Sequence, residues 1–233
     1  MSARFLFPLP ALLLLASCVN DRAVGPVQYD SQTVDAQGAQ TVHVALHMGA
    51  GDLRATDGAV PLMRADFAYN IAAWKPQVRY TKSGDRGDLT IEQPSGGHTI
   101  GNAHYNWDLQ FSNKIPLEME VHFGAGRARL DLGSLDLRGV EVHMGVGEAD
   151  LDLRGALKHS YNVTVNGGVG QATLRVPSDA GIWAEAHGGI GSIQVRGLRQ
   201  VGDHWESESY PSASNRMHIE VHGGIGEIRI VAD

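Results

Sequence analysis

One motif recurs along this chain, and it is clearest around Gly147. The apolar residues of this copy are Val140, Val142, Met144 and Val146 before the glycine, and Ala149, Leu151 and Leu153 after it. Alternation with a period of two predicts a β-strand with one buried face. The phase of the alternation slips by one residue at the glycine. The chain can keep a single core only if it bends there, and glycine permits such a bend.

The same slip recurs at regular intervals along the chain. The predicted corner glycines are Gly51 in a weaker first copy, and then Gly126, Gly147, Gly170, Gly191 and Gly226. The last five are separated by 21, 23, 21 and 35 residues (147−126, 170−147, 191−170, 226−191). Units this small cannot bury an apolar face alone, so they must stack. The sequence therefore predicts an all-β solenoid with glycine corners and about 21 residues per regular coil, in which Val146, Ile190 and Ile225 are expected to lie inside.

Stacking also predicts which outward side chains become neighbours. Equivalent positions of successive coils pair Arg127 with Glu148 and Arg129 with Asp150, each as opposite charges. Such pairs contribute roughly 0.2–1 kcal/mol each, so they help to set the register. Asp131 and Asp152 are an exception, because stacking places these two carboxylates side by side.

The first 17 residues are expected to be a lipoprotein signal peptide. Arg4 precedes an apolar stretch that is too short to span a membrane as a stable helix. The stretch ends Leu15-Ala16-Ser17-Cys18, which resembles the lipobox of bacterial lipoproteins, in which the cysteine is acylated. An ordinary cleaved signal followed by a chance cysteine is the alternative. Lipid on Cys18, the only cysteine, would anchor the chain to an extracytoplasmic membrane surface, the outer membrane in a Gram-negative cell.

The remaining chain divides by composition into three parts. Residues 18–40 are polar and predict a flexible tether, residues 41–116 predict irregular N-terminal β coils, and residues 117–233 predict the regular solenoid. An excursion at 197–215 interrupts the regular part. Trp183, on the outward face, is expected either to form an exposed aromatic patch with this excursion or to be covered by it. The last coil has no following cap, so either the excursion covers its edge or two molecules form a homodimer there.

The repeated strings resemble a known family. Val-His-Phe-Gly-Ala-Gly, His-Gly-Gly-Ile-Gly-Ser-Ile and Val-His-Gly-Gly-Ile-Gly-Glu-Ile are similar to the toast-rack family, which includes the extracytoplasmic domain of LiaF-type envelope-stress proteins. Leu62–Asn70 and Arg86–Pro94 are similar to an N-terminal region of many toast-rack proteins. The resemblance covers most of residues 41–233. It implies a single-stranded β-solenoid with no catalytic residues and no cofactor. LiaF-type proteins carry transmembrane helices, whereas this sequence has a lipobox instead.

Charge and motif context argue against several partners. The formal net charge is −7, and there is no run of lysine or arginine, so the sequence predicts no binding to nucleic acid or to anionic lipid. The Gly-x-Gly strings are followed by strands, whereas a phosphate-binding glycine loop opens a helix.

A polar row stands four residues before each corner glycine. Its histidines are His47, His122, His143, His187 and His222, with Asn166 completing the series. Two residues earlier stand Glu120, Glu141, Glu185 and Glu220, with Thr164 among them. Stacking turns these into outward ladders with three open interpretations: a solvated polar stripe, a zinc or copper site, or a surface on which protonation loosens the stack below about pH 6.

The function predicted from the sequence is a non-enzymatic, lipid-anchored β-solenoid of the cell envelope. It would act as a structural or ligand- and stress-sensing module whose partner is an envelope protein or a glycan. Asp131 and Asp152 leave a carbohydrate-active β-helix enzyme as an alternative, although the arginines around them favour ion pairing between coils.

Overall fold

The computed structural model describes residues 22–95, 99–100 and 102–233, and over these residues the chain is almost entirely β-structure. In chain order the strands are β1 (Arg22–Ala23), β2 (Gln28–Val34), β3 (Thr41–Asp57), β4 (Met63–Tyr69), β5 (Gln77–Ser83), β6 (Arg86–Glu92), β7 (Thr99–Ile100), β8 (Tyr105–Phe111), β9 (Leu117–Asp131), β10 (Leu137–Asp152), β11 (Tyr161–Val176), β12 (Gly181–Arg196), β13 (Arg199–Val201), β14 (His204–Glu206) and β15 (Arg216–Ala232). One 3-10 turn spans Ala72–Trp74. Within these residues, no helix is long and apolar enough to cross a membrane. The predicted signal peptide and Cys18 lie outside the described residues.

Six long strands stack in parallel and form the solenoid. Their order is β3, β9, β10, β11, β15, β12, and the corner glycines pair with one another throughout. Each corner glycine has a φ between 129° and 147°, a conformation that side chains rarely adopt. The predicted solenoid and its register are confirmed. We call the residues before the corner glycine the first arm of a coil, and those after it the second arm.

The core lies between the two arms of each coil. Val121 and Leu130 of β9, like Val142 and Leu151 of β10, come from opposite arms and are completely buried. Their burial follows the alternation on each side of the slip, and they belong to one continuous cluster. The bend therefore lets a single strand supply two walls of one core, which a straight strand of 16 residues cannot do.

Val146, Ile190 and Ile225 correct one prediction, because they are exposed at 55%, 72% and 51%. The bend occupies the whole stretch from Gly145 to Glu148, and all of it faces solvent to some degree. Alternation therefore stops before the corner glycine rather than at it, and the residue next to the glycine lies outside the core.

The strand order at the C-terminal end also differs from the expected one. The last strand, β15, lies between β11 and β12, so both of its edges are paired. The excursion at 197–215 forms the β13–β14 hairpin, which passes over β12 before the chain returns as β15. The last strand of the chain therefore has no free edge, and the homodimer stays a prediction. The edge strand of the stack is β12, and β14 pairs with it at Trp183 and Ala184.

At the N-terminal end, shorter strands cover β3. The first arm of β3 pairs with β6, which carries β5, and its second arm pairs with β8, which carries β4 and then β2. The tether predicted for residues 18–40 is therefore wrong over Gln28–Val34, which pairs antiparallel with β4. This strand has only partly covered side chains, and Tyr29 is 82% exposed. Its polar composition is that of an edge strand, which resembles a tether in sequence.

Candidate functional site

The histidine ladder consists of His47, His122, His143, His222 and His187 on the outer surface of the first arms. The register places these residues in one row, with Asn166 of β11 between His143 and His222. Ring centroids are 5.0 Å apart for His47 and His122, 4.4 Å for His122 and His143, and 5.4 Å for His187 and His222. Each of these pairs is stacked with nearly parallel rings. The predicted ladder is therefore assembled, although the last two histidines occur in reverse chain order.

A row of carboxylates lies beside the histidine ladder. Glu120, Glu141, Glu220 and Glu185 occupy equivalent positions, with Thr164 between the second and the third. Nε2 of His122, His143 and His187 lies 2.5, 2.7 and 2.5 Å from a carboxylate oxygen two residues earlier in the same strand. The hydrogen bond from His122 holds the pKa of Glu120 below its ordinary value. Carboxylates this close would offset the charge of a protonated ladder, which argues against loosening of the stack by protonation alone.

Metal binding receives no geometric support from this surface. Among the described residues, no group of three or more histidine, cysteine, aspartate or glutamate side chains is arranged to hold a metal ion. Neighbouring imidazoles lie face to face, so their nitrogens do not converge on a point as zinc coordination requires.

The glycine furrow runs next to the histidine ladder. It is formed by Gly49, Gly124, Gly145, Gly168, Gly224 and Gly189, which stand two residues before each corner. A side chain is excluded at all of these positions except Gly49: a Cβ at Gly145 would lie 2.3 Å from the carbonyl oxygen of Gly124, and one at Gly168 would lie 2.4 Å from that of Gly145. From β3 to β15, the ladder and the furrow together line an open groove of about 890 Å³, which Glu92 and Gln93 also line at the β3 end.

An aliphatic ridge borders the furrow on its other side. Val146, Val169, Ile225 and Ile190 are consecutive in the register and are between 44% and 72% exposed. The row continues as alanine on β9 and β3, at Ala125 and Ala50. Sequence reasoning missed this ridge because it assigned these side chains to the core. Contiguous exposed aliphatic residues on a soluble surface commonly mark a contact site.

The outer surface of the second arms carries several ion pairs. Nε of Arg127 donates to Glu148 over 2.9 Å, as the stacking predicted, and Arg54 lies 3.9 Å from Asp131. Asp131 and Asp152 are side by side in the register. Asp152 is held by Arg154, whose hydrogen bond keeps the pKa of that carboxyl below its ordinary value. Both carboxylates are engaged by arginines, and the lowered pKa of Asp152 is opposite to the raised pKa of a general acid.

Trp183 is covered by the excursion, which decides between the two alternatives for this residue. Its ring is sandwiched between His218, at 3.8 Å, and His204 of the β13–β14 hairpin, at 5.0 Å. His204 also contacts Asp203 and Glu206, and the hydrogen bond with Asp203 is the main cause of its raised pKa. The hairpin thus caps the beginning of β12 and leaves the corner of that strand uncovered.

Comparisons with known proteins agree with this architecture. Residues 23–175 match the family described as the N-terminal domain of toast_rack, DUF2154, and residues 124–230 match the family described as cell wall-active antibiotics response LiaF, C-terminal. No curated protein matches the chain. The chain belongs to the toast-rack family, which points to a structural or sensing module of the cell envelope.

One solved structure is similar over nearly the whole chain. It is described as a "putative cell adhesion protein" from Clostridium sporogenes, and it is 30% identical with a TM-score of 0.86, over 89% of this chain and 100% of that chain. A "putative adhesin" from Bacteroides fragilis is 11% identical with a TM-score of 0.36, over 90% of this chain and 99% of that chain, and so distant a match adds nothing to the assignment.

Proposed function

We propose that this protein is a lipid-anchored, non-enzymatic interaction module of the bacterial cell envelope. Its contact surface is the outer face of the first arms, where the histidine ladder, the glycine furrow and the aliphatic ridge run in parallel. The observation that carries this proposal is the exposed ridge beside a groove of about 890 Å³. Exposed aliphatic rows cost solubility, and a protein that keeps one usually covers it with a partner.

The shape of this surface favours an elongated partner. The groove is lined by five successive strands, and strands in a sheet are about 4.8 Å apart, so it extends about 19 Å along the stack. The imidazoles of the ladder, with the amide of Asn166 in the β11 coil, offer hydrogen-bond donors and acceptors along one side of the groove, and the ridge offers apolar contact on the other side. An extended envelope polypeptide or a glycan strand fits these features. The relative from Clostridium sporogenes, described as a cell adhesion protein, supports a role in contact rather than in catalysis.

Site-specific photo-crosslinking in intact cells tests the contact surface. A benzophenone amino acid at Asn166 stands in the middle of the ladder, and the same amino acid at Gln171 of the same strand stands on the second arm. Both positions hold a partly exposed neutral amide, so the two variants are matched. We expect adducts at Asn166 that protease or glycosidase digestion then identifies as protein or glycan. Adducts that are absent, or equally abundant at the two positions, would contradict the proposal.

The anchor is tested separately through Cys18. Cys18→Ser should abolish incorporation of labelled fatty acid and move the protein from the membrane fraction to the soluble fraction. A protein that carries no acyl label before the substitution would contradict lipidation, but it would leave the contact surface intact as a proposal.

A further inference from the structure

Two inward positions near the corner complement each other in size. In β9 and β10 the residue three before the corner glycine is large and the residue two after it is small: Phe123 faces Ala128, and Met144 faces Ala149. In β15 and β12 the order is reversed. There the earlier residue is glycine, and the side chains of Ile228 and Ile193 reach towards Gly223 and Gly188. In these four coils, one large side chain thus fills the space at the apex, and in β3 both residues, Met48 and Leu53, are large and buried.

Among the six coils, only that of β11 has a small residue at both positions. Gly167 and Ala172 occupy the two positions, and the apex of the core is left open. The result is a cavity of about 200 Å³, which we call the apex cavity, and which spans β11, β15 and β12. Its lining is largely glycine and aliphatic, and includes Val165, Val221 and Ile228.

The apex cavity is closed at one end and open at the other. Met144 closes the β10 end, since its Cε would lie only 3.1 Å from a Cβ placed on Gly167. At the β12 end, Gly188 is exposed and Ile193 is 39% exposed, because the β13–β14 hairpin pairs only with the beginning of that strand. Three coils spaced about 4.8 Å apart give a depth of about 10 Å and therefore a mean cross-section of about 20 Å².

Packing does not require the glycines that make this space. A Cβ on the neighbouring outward glycines, Gly168 and Gly224, would lie 2.4 and 2.3 Å from a backbone oxygen. A Cβ on Gly167 or Gly223 would meet only the end of a flexible side chain, at 3.1 Å, and neither glycine needs a positive φ. Larger residues are accommodated at the same row in β9 and β10. The inward glycines therefore leave a space that the fold itself could fill.

We propose that the apex cavity binds a single unbranched aliphatic chain, such as the acyl chain of an envelope lipid or a free fatty acid. Dry apolar cavities of about 150 Å³ bind small hydrocarbons, so the volume is sufficient for part of such a chain. The narrow cross-section excludes a sugar ring. The carboxylate of Glu227, at the rim, is already engaged by Gln194 and Arg229, so the polar head of the ligand stays in solvent. The apex cavity adjoins the contact surface of the first arms and shares Ile190, Ile225 and Gly224 with it. Its inward lining is distinct, because Val165, Val221 and Ile228 are buried in the core.

The test uses the full lipidated chain in vesicles of phosphatidylethanolamine and phosphatidylglycerol. The probe is decanoic acid with a terminal diazirine, added below its critical micelle concentration, with the butanoic analogue as a short-chain control. After irradiation and fragmentation of the labelled peptides, we expect the ten-carbon label, and not the four-carbon label, on Ile193 or Ile228 of the cavity rather than on Ile190 or Ile225 of the aliphatic ridge. Unlabelled decanoic acid should compete for this labelling.

Gly167→Met extends the row of Phe123 and Met144 into the cavity, and it should reduce the label at least tenfold. Gly139→Met is the matched control, because a Cβ there has only Glu118 Cγ nearby, at 3.7 Å, and lies outside the core. Gly167→Ala provides a milder filling variant if the methionine impairs folding, and it should give an intermediate loss. Equal labelling in Gly167→Met and Gly139→Met, or a label confined to the aliphatic ridge, overturns the proposal.

Discussion

Gly147→Ala is the most direct perturbation of the corner on which the solenoid depends. Gly147 lies in β10, in the interior of the stack, with the corner glycines of β9 and β11 on either side. Its φ is 140°, and a Cβ at this residue would lie 1.9 Å from the carbonyl oxygen of Gly126. Alanine must therefore change the backbone conformation and also push β10 away from β9 at the corner.

The expected cost of Gly147→Ala combines two effects. Holding a side chain in a glycine-only backbone region costs about 1–3 kcal/mol. Displacing the strand weakens about two ladder hydrogen bonds at roughly 0.5–1.5 kcal/mol each. The sum is about 2–6 kcal/mol, which is a large share of the roughly 5–15 kcal/mol that stabilises a typical domain. For a chain of this length, it corresponds to a fall in Tm of about 4–24 °C.

Gly139→Ala is the matched control for the corner, since it is the same substitution in the same strand. A Cβ there meets nothing closer than Glu118 Cγ at 3.7 Å, and no positive φ is needed. We expect Gly139→Ala to leave the free energy of unfolding within about 1 kcal/mol of wild type, or to raise it slightly. Urea unfolding followed by circular dichroism measures both variants. If their free energies of unfolding differ by less than about 1 kcal/mol, the corner glycine is not the backbone requirement described here.

Three further outcomes follow from the same structure. Phe123→Ala should lower the free energy of unfolding by about 3–5 kcal/mol. Adding Ala128→Ile should recover part of this loss, because the two side chains share the space at the apex. If urea unfolding shows that the effects of the two substitutions simply add, the side chains do not share that space. The depressed pKa of Glu120 implies stability that is present above its unfolded pKa, near 4.5, and is lost as pH falls through the lower folded value. Thermal melts from pH 6 to pH 3 should therefore show a shallower loss of Tm for Glu120→Gln than for wild type, and parallel curves would contradict the assignment. Val146→Ser on the aliphatic ridge should change stability by less than about 1 kcal/mol while reducing crosslinking from the histidine ladder, and a large loss of stability would show that the ridge is structural instead.

The register of the solenoid could be predicted because glycine carries two kinds of information in this sequence. The corner glycine marks where alternation changes phase, and its recurrence aligns one coil with the next. These two constraints predicted that Arg127 would lie beside Glu148 and that His122 would lie beside His143, and the structure confirms both neighbours. Each of these inferences needs only the position of a residue relative to its own corner.

The parts that sequence reasoning missed depend on information that lies outside a single coil. Alternation does not reveal how many residues a bend occupies, so Val146 and Ile190 were assigned to the core although they face solvent. All coils carry the same motif, so nothing local placed β15 between β11 and β12. The 35-residue interval between the last two corners was the available signal that the chain leaves the stack and returns. Gln28–Val34 was missed because an edge strand with few buried side chains needs few apolar residues.

Packing and ion pairing explain the outward side chains of the second arms but not those of the first arms. On the second arms, the sign of the outward charge varies from coil to coil, and carboxylates pair with arginines of other coils. Ion pairs that help to fix the register of the coils are sufficient to explain this pattern. On the first arms, histidine recurs at the same outward position in five of six coils, and Asn166 in the sixth shows that the fold accepts another polar residue there. Neither burial nor backbone geometry demands an imidazole at this position. The repetition is consistent with the contact surface that we propose, and that proposal requires the contact to be lost when the ladder is altered while the solenoid keeps its stability.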